Sequence, residues 1–262
     1  MNIKNLFRLL AGVCAVLFLA QNMFSGEIED AGKRVFEKGR TRIVSIKVVA
    51  STVIKDQKEE IKMESQGMVL DEKGTVLVAF SSIDPIKYLI KMFSLMGMGS
   101  QTANLKKLTS SIDDIKYILD NGKEVQAKLI ITDKDLDVAI IKPEKPGEKF
   151  DFFEVRELEK PALFDEMVAF FRLSKDYNRE LSFITTSVNC RLTKPEDLFL
   201  VQGGIPMSCL IFDKQGRFAG LSVSRGTDDE DTKSLGMANS MVTSILPAKE
   251  ILEIIKQAGE KK

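Results

Sequence analysis

The 262-residue sequence contains no histidine and no tryptophan, and only three cysteines. Without imidazole, no side chain titrates near neutrality at its ordinary pKa, so the commonest general base is missing. Zinc sets built on histidine are excluded as well, and Cys14, Cys190 and Cys209 show no metal-ligand spacing. An excess of either charge is also lacking. Lys+Arg and Asp+Glu are both 38, so the formal net charge is +0. That removes the basic footprint of a nucleic-acid binder, and no nucleic-acid partner is expected. No motif calls for a cofactor or a metal. What is present is 44% hydrophobic and 29% charged, the composition of a globular chain with a real core.

The apolar run Leu9–Ala20 is shorter than the ~20 residues that span a bilayer. Lys4 and Arg8 precede it, and Gln21, Asn22, Ser25 and Gly26 follow. Residues 1–26 therefore read as a secretory signal peptide. Neither Ala20 nor Ser25 has a small residue three places before it, so an uncleaved anchor is the alternative. Either way the chain is expected to be exported, to a periplasm or the cell exterior, and to meet an oxidising compartment. Cys190 and Cys209 can then be one disulfide or two small buried hydrophobes.

Beyond residue 26 the pattern is mostly short strands. Glu27–Gly39 reads as an amphipathic helix with Ala31, Val35 and Phe36 on one face. Strand-like stretches follow at Ile43–Val49, Glu59–Leu70, Thr75–Phe80, Ile115–Leu119, Val125–Ile131 and Val138–Ile141. Asn121-Gly122 marks a hairpin turn. A polar linker, Pro143–Lys149, separates these from Met167–Arg172, Leu181–Val188, Cys209–Phe212, Phe218–Val223 and the apolar Met237–Leu246. Pro247 then opens a helix that runs to Ala258. Two packed β-barrels, at about 40–142 and 161–246, account for this order.

Pro85–Ser111 interrupts the first barrel. Ile86, Leu89, Ile90, Met92, Phe93, Met96 and Met98 give it a helical, methionine-rich character. It reads either as a helix laid on the barrel or as an adaptable contact for a protein partner or a lipid surface.

Several stretches, taken in order, resemble the HtrA/trypsin-like serine proteases over most of residues 27–262. Ser65-Gln66-Gly67-Met68-Val69-Leu70-Asp71 is similar to that family's glycine-led strand. Gly74–Asp84 resembles the strand that ends in the catalytic histidine, and Ser81 stands at the histidine's place. Asp120–Ala127 resembles the family hairpin. Asp137-Val138-Ala139-Ile140-Ile141 resembles the strand of the triad aspartate, and Asp137 matches that residue. In the second half, Asp165–Phe170 resembles the first strand of the second barrel, with Phe171-Arg172-Leu173 in place of Gly-Asn-Pro. The nucleophile motif Gly-x-Ser-Gly-Gly is replaced by Ile205-Pro206-Met207-Ser208-Cys209. The ungapped register puts Met207 at the serine; a one-residue deletion puts Ser208 there.

The resemblance implies a two-barrel, all-β, trypsin-like fold, and it implies that the chemistry is gone. Ser81 cannot accept a proton as an imidazole does. Met207 is no nucleophile, and Ser208 has no activator. The first oxyanion donor would fall on Pro206, which has no N–H, or on Ile205 in place of a turn glycine. Losing one such donor alone costs about 10²–10³ in rate. Asp137 is expected to be held by hydrogen bonds to backbone or to Ser81, or simply solvated. Cys209 also lacks a base. Asp228-Asp229-Glu230-Asp231 reads as a solvated charge run rather than a calcium loop. The expected function is that of an exported pseudoprotease, a peptide- or protein-binding scaffold or regulator. The alternatives are an active serine endopeptidase with an unconventional base and a membrane-tethered structural protein.

Overall fold

The structure, a computed structural model, describes residues 26–54, 57–95, 98, 102–145, 147, 149–156, 161–193, 197–224 and 242–260. The N-terminal apolar run and the Asp228–Asp231 run lie outside the described residues. Twelve strands form two closed antiparallel barrels of six strands each. The first holds β1 (Ile43–Ile54), β2 (Gln57–Val69), β3 (Val76–Ala79), β4 (Ser110–Ile118), β5 (Glu124–Asp133) and β6 (Val138–Pro143), in the order β1-β2-β3-β6-β5-β4. The second holds β7 (Glu166–Arg172), β8 (Leu181–Leu192), β9 (Leu198–Gln202), β10 (Leu210–Asp213), β11 (Phe218–Val223) and β12 (Val242–Pro247), in the order β10-β11-β12-β9-β8-β7. With its C-terminal helix this is the trypsin-like two-barrel, all-β arrangement.

Strand alternation explains why several strands are unbroken apolar runs. On β3, Val76 and Val78 fill the interior of the first barrel, while Leu77 and Ala79 face the second barrel. On β6, Ala139 and Ile141 point inward, and Val138 and Ile140 join Leu77 and Ala79. β7 and β10 mirror this. Met167, Ala169 and Ile211 fill the second barrel, while Val168, Phe170, Leu210 and Phe212 face the first. Both faces of these strands are buried, so both must be apolar.

Two helices brace the seam between the barrels. α1 (Glu27–Arg42) buries Ala31, Val35 and Gly39 and packs on β7, β8 and β10 as well as on β1. Its one buried face is what the amphipathic pattern predicts. Here α2 denotes Pro85–Leu95 and α3 Thr102–Leu105; α4 (Ala248–Glu260) follows β12. α4 buries Ala248, Ile251 and Ile254 and packs on β11 and β12, and on β5 of the first barrel.

The insertion is shorter than Pro85–Ser111. Asp84 caps α2, its Oδ1 accepting the N–H groups of Ile86 and Lys87 at 3.0 and 2.9 Å, with Pro85 in the first turn. Ser110 and Ser111 belong to β4, paired with Thr52 and Ser51 of β1. Ile86 is buried, whereas Leu89, Ile90, Met92 and Phe93 are half-buried and Tyr88 is exposed. β9 has no counterpart among the expected strands. Cys190 and Cys209 are both free, so there is no disulfide between them; Cys209 is buried and Cys190 is only partly so.

Candidate functional site

The residues singled out by sequence come together where the barrels meet. β3 ends at Ala79, and one 3₁₀ turn, Phe80–Ser82, carries Ser81. The tight turn before β6 is built by Asp133, whose Oδ1 accepts the N–H groups of Asp135 and Leu136 at 3.0 and 2.8 Å. It delivers Asp137 with φ 57°, a left-handed backbone that an aspartate tolerates better than most residues. The Phe80 N–H donates to the Asp137 carbonyl at 3.0 Å and ties the two turns together.

The Asp137 carboxylate is fully engaged. Oδ1 accepts the Ser81 N–H at 2.7 Å, and Oδ2 accepts the Ser81 hydroxyl at 2.7 Å. Oδ2 also accepts the N–H of Ser224, from the end of β11, at 2.5 Å. Burial pushes the carboxyl above its ordinary pKa, against the downward pull of the Ser224 and Ser81 hydrogen bonds and the nearby charge of Lys87. Lys91 of α2 is within electrostatic reach of this carboxylate. Burial holds its ammonium below the usual lysine range, and the charge of Asp137 draws it back up.

Met207 stands over the pair. Its Sδ lies 3.9 Å from the Ser81 Oγ, across the barrel seam. Ser81 thus touches both Asp137 and Met207, the two other residues that the ungapped resemblance aligns with it.

Ser208 points elsewhere. Its Oγ donates to the Gln66 carbonyl at 2.9 Å and accepts the Ala79 N–H at 3.0 Å, so it joins the second barrel to the first. Its backbone is left-handed, φ 60°, at a place where the protease motif has glycine. Its own N–H donates to the Ser222 carbonyl at 3.2 Å. Ser222 Oγ in turn accepts the Cys209 N–H at 2.7 Å and donates to the Pro206 carbonyl at 2.9 Å. A nucleophile at Ser208 would therefore have neither oxyanion donor: Pro206 has no N–H, and that of Ser208 is spent on Ser222.

Burial decides what the arrangement can do. Ser81 is 1% exposed, Asp137 2% and Ser208 0%, so neither serine hydroxyl presents itself to a substrate. Cys209 is fully buried as well, and burial raises its thiol pKa, which disfavours the reactive thiolate.

Residues that sequence alone does not mark complete the site. Gln66 is buried in the seam. Its Nε2 donates to the Ser208 carbonyl at 3.0 Å, and its Oε1 accepts the Arg172 N–H. Arg172 reaches back to the first barrel, donating Nε to the Ile43 carbonyl at 2.9 Å. The only advance signal for Gln66 is a polar residue beside the strand glycine Gly67. Among the described residues no cluster of three or more His, Cys, Asp or Glu is placed to hold a metal ion. No helix among them is long and apolar enough to cross a membrane. No family model matches the chain, and no curated protein matches it.

Proposed function

We propose that this chain is an exported, catalytically inactive member of the HtrA/trypsin-like group that acts by binding a protein or an extended peptide. The observation that carries the reading is the Ser81–Asp137–Met207 stack. The serine that the resemblance aligns with the base is satisfied by Asp137, and the residue it aligns with the nucleophile is a thioether against that serine. No histidine exists elsewhere in the chain to replace the base. The barrels, the seam and the capped turns are retained without the chemistry they serve in proteases, which fits a fold kept for binding. The half-buried apolar side chains of α2 offer one contact for a partner, and β-strand addition beside the barrel seam offers another.

A second reading rests on Lys91. Among the described residues, a half-buried amine with a lowered pKa within electrostatic reach of Asp137 gives an unconventional base a concrete form. Unfolded casein separates the two. A binding protein retains casein in a pull-down while its intact mass stays unchanged over hours. Casein fragmentation that disappears in Lys91→Met would establish the enzyme and overturn the proposal. Export is part of the same proposal, and N-terminal sequencing of secreted or periplasmic material tests it. A mature N-terminus near residue 26 is expected; an intact Met1 in the membrane fraction would indicate a tether instead.

A further inference from the structure

β2 is longer than the strand it pairs with on its outer side. β1 covers it from Gln57 to Met68, but β3 meets it only at Met68 and Val69. Among the described residues, no strand pairs with the other edge of β2 from Gln57 to Gly67; Gln66 and Gly67 are buried at the seam and the Ser65 and Ser82 hydroxyls meet at 2.6 Å, so the open part of this edge runs from Gln57 to Glu64. A free edge of this length is a template for another strand unless its side chains forbid it.

The side chains do not forbid it; they select a partner. Lys58, Glu60, Lys62 and Glu64 alternate in sign along one exposed face, and Gln57, Glu59, Ile61, Met63 and Ser65 occupy the other. We infer that this edge pairs antiparallel with the same edge of a second copy, with Ile61 opposite Ile61 on the two-fold axis. Glu60 then lies opposite Lys62 and Lys58 opposite Glu64, each pair occurring twice by symmetry. Ile61 meets its own copy on the opposite face, flanked by Met63.

The same pattern rejects the neighbouring registers. A slip of two residues one way sets Glu60 against Glu60 and Lys58 against Lys62. The same slip the other way sets Lys62 against Lys62 and Glu60 against Glu64. Directly opposed like charges are destabilising. A slip of one residue would align the charged face of one copy with the mixed face of the other. Within the chain these groups are only lightly committed. Lys62 and Glu60 lie 3.2 Å apart, Lys58 is 3.5 Å from Asp113, and Glu64 Oε1 accepts Arg179 Nη2 at 2.6 Å. All but the Glu64–Arg179 pair are exposed contacts that a facing strand can share. The residues Lys58 to Glu64 of each chain would form a ladder about 24 Å long.

Sedimentation velocity on the full chain over about 1 to 300 μM tests this independently of any proteolytic or peptide-binding activity. The expected result is a concentration-dependent shift from one chain mass to two, weakened by high salt. Glu60→Lys alone and Lys62→Glu alone should each weaken dimerisation by about tenfold or more. The double variant Glu60→Lys/Lys62→Glu restores the opposition of charges and should recover the dimer. Both sites are exposed, so unchanged thermal melts are expected to accompany these shifts in all three variants. A monomer throughout, a dimer indifferent to the single reversals, or a double variant that fails to recover would each overturn the inference.

Discussion

The hydroxyl of Ser208 accepts the backbone N–H of Ala79 at 3.0 Å, and through this bond the second barrel satisfies the last residue of a strand of the first. The same oxygen donates to the Gln66 carbonyl. Ser208 is thus a staple between barrels. Ser208→Ala is expected to destabilise the fold by about 1–3 kcal/mol, because the Ala79 N–H is left buried without a partner. Ser208→Gly should cost less, since glycine removes the left-handed strain that Ala retains. Urea unfolding of the three proteins checks the order. Equal stability of wild type and Ser208→Ala would remove the structural role.

Asp137 makes stability depend on pH in a defined direction. Burial raises its pKa in the folded protein above the unfolded value, so between the two values the folded state binds more protons. Its contribution is therefore fully present below the ordinary carboxylate pKa and is lost as pH rises through the raised one. Lys87 lies close enough for its charge to pull that pKa down, but burial outweighs it. Asp137→Asn removes the titration along with the Ser224 hydrogen bond. The stability of wild type relative to Asp137→Asn should grow as pH is lowered through this window, measured by unfolding at a series of pH values. A difference that shrinks on acidification would mean the hydrogen bonds outweigh burial.

The two described cysteines should behave as opposites toward alkylation. Cys209 is fully buried and its thiol is held protonated by burial, while Cys190 is partly exposed on β8. Iodoacetamide at mildly alkaline pH, read by peptide mapping, should modify Cys190 in the native protein. Cys209 should react only after denaturation.

Glycines at the tightest approaches should resist substitution, and open ones should not. A Cβ on Gly67 would sit 2.4 Å from Val76 Cγ1 and 2.6 Å from the Leu77 carbonyl oxygen. One on Gly220 would sit 2.4 Å from the Leu246 carbonyl oxygen. Alanine at either is expected to cost about 2 kcal/mol or more. Gly32, inside α1, has no atom within 4 Å of such a Cβ. Gly32→Ala should stabilise the protein by about 0.5–1 kcal/mol through helix propensity. Thermal melts of the three variants distinguish these cases.

Much of the fold is legible in the sequence because burial writes itself into pattern. Phe218–Val223 coincides with β11, and Val138–Ile141 lies within β6, since short, largely apolar runs signal strands buried on both faces. The helix ends are less legible. α1 runs to Arg42 rather than Gly39, as the glycine is buried against Leu181 instead of ending the helix. β9 is hidden because its short run follows a charged segment and has no alternation to mark it. Ser110 and Ser111 look like loop but complete the ladder with β1, a pairing set by distant residues. At the site, Ser81 and Asp137 can be placed from local pattern, and they do share a carboxylate–hydroxyl bond. The roles of Gln66, Ser222 and Ser224 depend on contacts between strands far apart in sequence, and no local signal carries them.

A serine-directed fluorophosphonate, followed by intact mass and peptide mapping, tests the central claim most directly. With Ser81 bound to Asp137 beside Met207, and Ser208 bound to Ala79 and Gln66, neither hydroxyl is free or activated. The native protein should show no stoichiometric adduct at Ser81 or Ser208, and none should appear with time. Rapid, stoichiometric labelling at Ser208 that is lost in Ser208→Ala would contradict the account and identify an active hydrolase.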